Sequence, residues 1–122
     1  MKERVFDLQD RLVDFAVRII KLSNALPETK AGKHVCAQIL RSGTSSASNY
    51  GEAQSAESKA DFIHKLKVAL KELRETEIWL KIIVRSGLIQ QSKKLDPLLK
   101  ESDELIAILC KSVKTAGEKK EH

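Results

Sequence analysis

From Val5 the apolar residues recur as Val5, Leu8, Leu12, Phe15, Ile19, Leu22 and Leu26, alternating steps of three and four that lay one stripe along a helix. Pro27 closes the run, because its ring pushes the preceding residue out of the helical region. The pattern predicts a first helix over 5–25. Thr29 then offers an N-cap to a second, over 29–54, in which Ala31, Val35, Ile39, Gly43, Ala47 and Tyr50 keep the helical rhythm. That rhythm passes straight through RSGTSSASNYGEA, residues 41–53, a stretch whose composition alone suggests a loop. Ser and Gly weigh about 0.5–1 kcal/mol each against Ala inside a helix, so only tertiary packing holds such a segment. Small side chains let helix axes come close, and close packing is the expected compensation.

Ser58 with Asp61 resembles a capping box and opens the strongest run, Phe62, Leu66, Ala69, Leu73, Thr76, Leu80 and Ile83, which Gly87 stops. This is the third helix, over 58–86. Leu95, Leu98, Leu105 and Leu109, beside Leu99, Ile106 and Val113, mark a fourth over 92–115. It starts either at Ser92 or at Asp96, with Pro97 as its first helical residue. The closing AGEKKEH has no periodicity, and 117–122 is expected to fray. Four long helices with short connections predict an all-α, up-down-up-down antiparallel bundle forming a single domain over 1–116.

Composition agrees with this pattern. Aromatics make up only 4% of the 122 residues, and Leu, Ile, Val and Ala accompany abundant Lys and Glu. Cys36 and Cys110 lie in apolar surroundings without a CxxC, so they read as small buried hydrophobes. The topology puts them at opposite ends of the bundle, too far apart for a disulfide. The N-terminal MKERVFDLQDRL has charges and no apolar core, and no stretch approaches a membrane span, which points to a cytoplasmic protein without membrane contact.

Catalytic patterns are missing from the sequence. A ferritin-like site needs Glu-x-x-His twice, and the nearest match, Asp61 to His64, occurs once, with His34 on another helix. There is no nucleophile elbow, His64 beside Lys65 reads as a surface residue, and Gly43 and Gly51 lie inside a helix pattern rather than a phosphate loop. The expectation is a non-enzyme with no catalytic residues, metal site or cofactor. Ser45, Asn49 and Glu52 share one helix face, and if that face is buried they need partners such as Arg41 and Arg74. A register-fixing hydrogen-bond network is the simpler reading of them, and a ligand site the alternative. Trp79 reads as a core or interface anchor before a base-stacking platform.

The stretch from Gln38 to Ile89 resembles a bacterial four-helix-bundle family that includes proteins encoded in intervening sequences of 23S ribosomal RNA genes. Gln38, Arg41, Ser45, Asn49 and Glu52 stand where that family has a Q-x-x-R-x-x-x-S-x-x-x-N-x-x-E pattern, and ALKELRETEIWL is similar to its most recognisable third-helix segment. The resemblance implies a homo-oligomer, commonly a ring of five bundles, with no catalytic site established. Relatives include the accessory protein of diversity-generating retroelements, which binds nucleic acid and a reverse transcriptase. The resemblance adds Gln38 to the structural polar set of Arg41, Ser45, Asn49, Glu52 and Arg74.

The chain offers its own hint of assembly, because Phe6, Val13 and Ile20 form a second seven-residue series beside the main stripe of the first helix. These residues either cover an oligomer interface or broaden the core contact. Charge bears on partners: the net charge is +5 with a pI near 9.3. Arg4, Arg11 and Arg18 form a stripe, but Asp7 and Asp14 precede the latter two by four residues, which predicts a neutralised ladder. Sorted by end of the bundle, Lys21, Lys30, Lys33, Lys81, Arg85, Lys93 and Lys94 gather where the first and third connections lie, against Glu28 and Asp96. A ring would repeat this end into a basic face for RNA or DNA phosphates, the plainer reading being solubilising lysines. No aromatic is expected there, so base readout is not. The alternative to a nucleic-acid scaffold is a protein-interaction adaptor that docks a nucleic-acid enzyme such as a reverse transcriptase.

Overall fold

The computed structural model describes residues 7–118. Four helices follow one another, α1 (Leu8–Ala25), α2 (Lys30–Ala53), α3 (Lys59–Ser86) and α4 (Asp96–Glu118), with no strand among the described residues. Each start has a local cause. The Asp7 carboxylate accepts the Asp10 N–H at 3.2 Å, Thr29 Oγ1 accepts that of Gly32 at 3.0 Å, and Ser58 Oγ accepts that of Asp61 at 3.0 Å, each satisfying a donor that the first turn leaves over. The ends are equally local: Leu26, ahead of Pro27, turns extended, and Gly87 takes the left-handed conformation at φ 72°. Both expected starts of the fourth helix have a basis, since Ser92–Leu95 forms a 3₁₀ turn that runs into α4 at Asp96. Gly117 and Glu118 are still helical, so fraying does not begin at 117; residues 119–122 lie outside the described residues.

The serine-rich stretch is unbroken helix. Its outward hydroxyls turn back onto their own helix: Thr44 donates to the Leu40 carbonyl, Ser45 to that of Arg41, both at 2.8 Å, and Ser48 to that of Ser45 at 3.1 Å. Its inward face is Ser42, Gly43, Ser46 and Ala47, all buried. Gly43 lets α1 approach so closely that a Cβ built on it would stand 2.6 Å from Ile19 Cγ2. On the side facing α3, the buried hydroxyls of Ser42 and Thr76 bond each other at 2.8 Å, and Thr76 Oγ1 also lies 2.8 Å from the Glu72 carbonyl oxygen. Ser46 Oγ is buried with no hydrogen-bond partner.

Contacts between successive helices run in opposite directions. Gln9 donates to the Ala47 carbonyl while Ile19 packs on Gly43; Ser42 meets Thr76 while Glu52 meets Lys65; Glu77 meets Ser102 while Arg74 meets Cys110. The chain is therefore an up-down-up-down bundle. Leu12, Phe15, Ile19, Ile39, Leu66, Leu73, Leu80, Ile83, Leu105 and Leu109 fill its centre, each fully burying a side chain that contributes about 1.5–3 kcal/mol. Of the four interfaces between adjacent helices, that of α2 with α3 is the most extensive and that of α1 with α4 the slightest. Arg11 clasps the latter: its guanidinium forks onto Glu101 at 3.0 and 2.7 Å and reaches Glu104 at 3.0 Å. It is thus committed to another helix rather than to the expected ladder along α1.

Candidate functional site

Because neighbouring helices are antiparallel, the α1–α2 and α3–α4 connections share one end of the bundle. That places Lys21 near the end of α1, Lys30 and Lys33 in the first turn of α2, Lys81 and Arg85 near the end of α3, and Lys93 and Lys94 in the turn before α4 together. All seven are exposed. Lys81 faces Glu77 Oε1 at 4.0 Å, an acidic neighbour that sorting charges by position overlooked. The other six cations have no ion-pair partner among the described residues. The first turn of α2 contains no acidic residue, so its N-terminal dipole adds to the positive field of Lys30 and Lys33. Exposed Glu28 and Asp96 offset part of that field.

The expected single polar network resolves into separate pieces. Arg41 leaves α2 to hold Glu72 at 3.0 Å and Glu75, both on α3. Ser45 and Asn49 spend their donors on α2 carbonyls, Asn49 donating to that of Ser45 at 2.9 Å. Glu52 pairs with Lys65, and half-buried Gln38 joins none of these bonds. Arg74 Nη2 instead approaches Cys110 Sγ at 3.2 Å, on the far side of α3. The face lies along the α2–α3 seam, where it is only partly buried and solvent and each residue's own helix satisfy most of it. The buried polar contact falls on Ser42, which the spacing did not single out, and on Thr76, which it placed on the stripe of the third helix rather than in the polar set.

Two carboxylates of the third-helix segment have opposite settings. The Trp79 indole N–H, followed by the Arg41 guanidinium, holds Glu75 below the usual carboxylate range. Burial, followed by a hydrogen bond with Asp103 of α4, raises Glu77, although Ser102 donates to it at 2.9 Å. Trp79 also meets His34 of α2 edge to face, with ring centroids 5.9 Å apart. The basic end therefore does carry aromatic rings, contrary to the expectation from sequence. Spacing along one helix could not reveal a pair drawn from two.

Val13 and Ile20 are exposed on α1, at 43% and 40%, and Phe6 lies outside the described residues. Val17 and Leu40 are exposed as well, as are Ile78 and Ile82 on the outer face of α3, where they line a shallow hollow with Lys81 and Arg85. Val17 escaped notice because it falls four residues from Val13, outside the seven-residue series. Among the described residues no group of three or more His, Cys, Asp or Glu is placed to hold a metal, and no helix is long and apolar enough to cross a membrane.

The profile of the family described as 23S rRNA-intervening sequence protein matches residues 6–111, nearly the whole bundle. The chain belongs to that family. A crystal structure at 1.70 Å of a protein of unknown function from the S23 ribosomal protein family, from Bacteroides thetaiotaomicron VPI-5482, is similar to it: 39% identical over 88% of this chain and 98% of that one, with a TM-score of 0.80. Comparison with curated proteins gave no match. Membership of the 23S rRNA-intervening sequence protein family thus rests on the sequence profile, and the four-helix architecture agrees between the two structures.

Proposed function

We propose that this intervening-sequence family member is a non-enzymatic, self-associating bundle that binds RNA or DNA through backbone phosphates at its basic end. The observation that carries the reading is the cluster of six exposed cations, from four separate segments, without ion-pair partners among the described residues. Fixed acidic partners are what usually neutralise such a cluster, and in their absence polyanions compete with simple counterions. Charge reversal at Lys93 and Lys94 to Glu should abolish RNA retention and flatten its salt dependence. Unchanged binding by that variant would retire the basic end as the interface.

Self-association is supported by Val13, Val17 and Ile20 of α1 with Leu40 of α2, and by Ile78 and Ile82 of α3, two exposed apolar patches on different faces. Two unlike faces suit a head-to-tail contact, which closes into a ring such as a pentamer. Sedimentation should find an oligomer, and a plain monomer at micromolar concentration would count against the ring. A second reading, an adaptor docking a nucleic-acid enzyme such as a reverse transcriptase, is favoured by the hollow in which Lys81 and Arg85 flank Ile78 and Ile82. A binary complex that persists in high salt would select it.

A further inference from the structure

We infer that His34 and Trp79 form a nucleobase-stacking corner beside the basic end, so that the nucleic acid taken up there is single-stranded. The inference rests on the phosphate-binding reading above. The two rings come from different helices and stand at 75° to each other, with centroids 5.9 Å apart. Rings set nearly at right angles make a corner: a third flat ring entering it lies face to face with one and sets its own edge against the face of the other, both favourable for aromatic quadrupoles. His34 is exposed and Trp79, packed in part against the core, is half-buried, so both residues keep some surface in solvent.

The corner is also held in place before a ligand arrives. The Trp79 indole N–H donates to Glu75 Oε2 at 3.1 Å, and Arg41 reaches over from α2 to grip that same carboxylate and Glu72. A ring fixed in this way has little rotamer freedom left to lose on binding. The surroundings suit the backbone that would follow the base. Lys30 stands one helical turn before His34, hence on the same face of α2, and Lys81 and Arg85 follow Trp79 along α3. Every base has a π-face, so such a corner tolerates any sequence, whereas a duplex keeps its bases inside its own stack. The site therefore selects strand state and leaves sequence unread.

Trp79 is the only tryptophan in the chain, so its emission reports on the corner directly. The full-length protein would be titrated with oligo(dT), oligo(U) and a duplex of equal length, following tryptophan emission and the anisotropy of a labelled strand together. Saturable quenching is expected with both single strands and not with the duplex. His34→Ala should weaken single-strand affinity about tenfold, leaving duplex affinity and the thermal transition unchanged. Single strands that raise anisotropy without altering emission, or that bind the His34→Ala variant undiminished, would overturn the corner and leave the phosphate reading standing. Absence of binding by every strand form would overturn both.

Discussion

Adding one methyl group at Gly43 probes the close approach of α1 to α2. In an ordinary helix interior Gly→Ala stabilises by about 1 kcal/mol. Here the new Cβ would stand 2.6 Å from Ile19 Cγ2, 3.0 Å from Cγ1 and 3.1 Å from Cβ. Carbon atoms rest about 3.5–4.0 Å apart, so one helix must retreat by about 1 Å. Ile19 cannot simply swing away, being fully buried and branched at Cβ. On its other flank α2 is held by the hydroxyl pair of Ser42 and Thr76. Overpacking of this kind costs about 1–3 kcal/mol, and against the helical gain of about 1 kcal/mol a contact this short leaves Gly43→Ala destabilised by up to about 2 kcal/mol. Gly51→Ala is the control on the same helix, because the nearest atoms its Cβ would meet are those of the Gln9 side-chain amide, Oε1 first at 3.3 Å, the end of a flexible side chain. It should stabilise by about 0.5–1 kcal/mol. Urea unfolding followed by circular dichroism should show opposite shifts in midpoint at constant slope, or about 3–6 °C in Tm for each kcal/mol. If both alanines raised the midpoint alike, the tight contact would not exist.

Three further outcomes follow from polar groups. Ser46→Ala removes a buried hydroxyl without a partner and should stabilise by about 1 kcal/mol, whereas Ser42→Ala breaks the bond to Thr76 and should cost about 0.5–1.5 kcal/mol; urea midpoints moving the same way would contradict this. Glu77 binds its proton more tightly folded than unfolded, so it stabilises the fold as pH falls through its raised pKa and opposes it when ionised. Glu77→Gln should therefore be more stable than the parent at neutral pH, with the difference vanishing below the usual carboxylate range, and parallel stability curves across pH would refute the assignment. Arg11→Ala, which opens the fork on Glu101 and the contact with Glu104, should lose about 1 kcal/mol in dilute buffer and less as salt is added. A loss independent of salt would mean that packing, not charge, holds α1 to α4.

Periodicity made most of the fold legible. The stripe from Leu8 to Leu26 and the caps at Thr29, Ser58 and Gly87 are local signals, and each produces the element it announces. The helical rhythm through Ser42–Tyr50 outweighed a composition that argues for a loop, because the small residues fall on the face that meets Ile19 and Thr76. Pairings between helices were not legible. Arg11 choosing Glu101 over a neighbour on its own helix, Arg74 turning to Cys110, and His34 meeting Trp79 all depend on which faces come together, and one sequence does not encode that in its spacing. The basic end was readable only as far as topology carried it. Seven cations reach one end through the order of the helices, but Glu77 beside Lys81 shows how a half-buried acid from further back along α3 enters a surface that counting by position leaves open.

Three glycines and four serines put α2 on the order of 5 kcal/mol below an alanine-rich helix of equal length. As an excised peptide it would be a random chain, since nothing within it replaces what α1 and α3 supply. Folding therefore cannot begin there. The segment at the middle of the molecule winds only once its flanking partners are present, so loosening either one should melt both seams at once, leaving no stable half-bundle for a protease to trim.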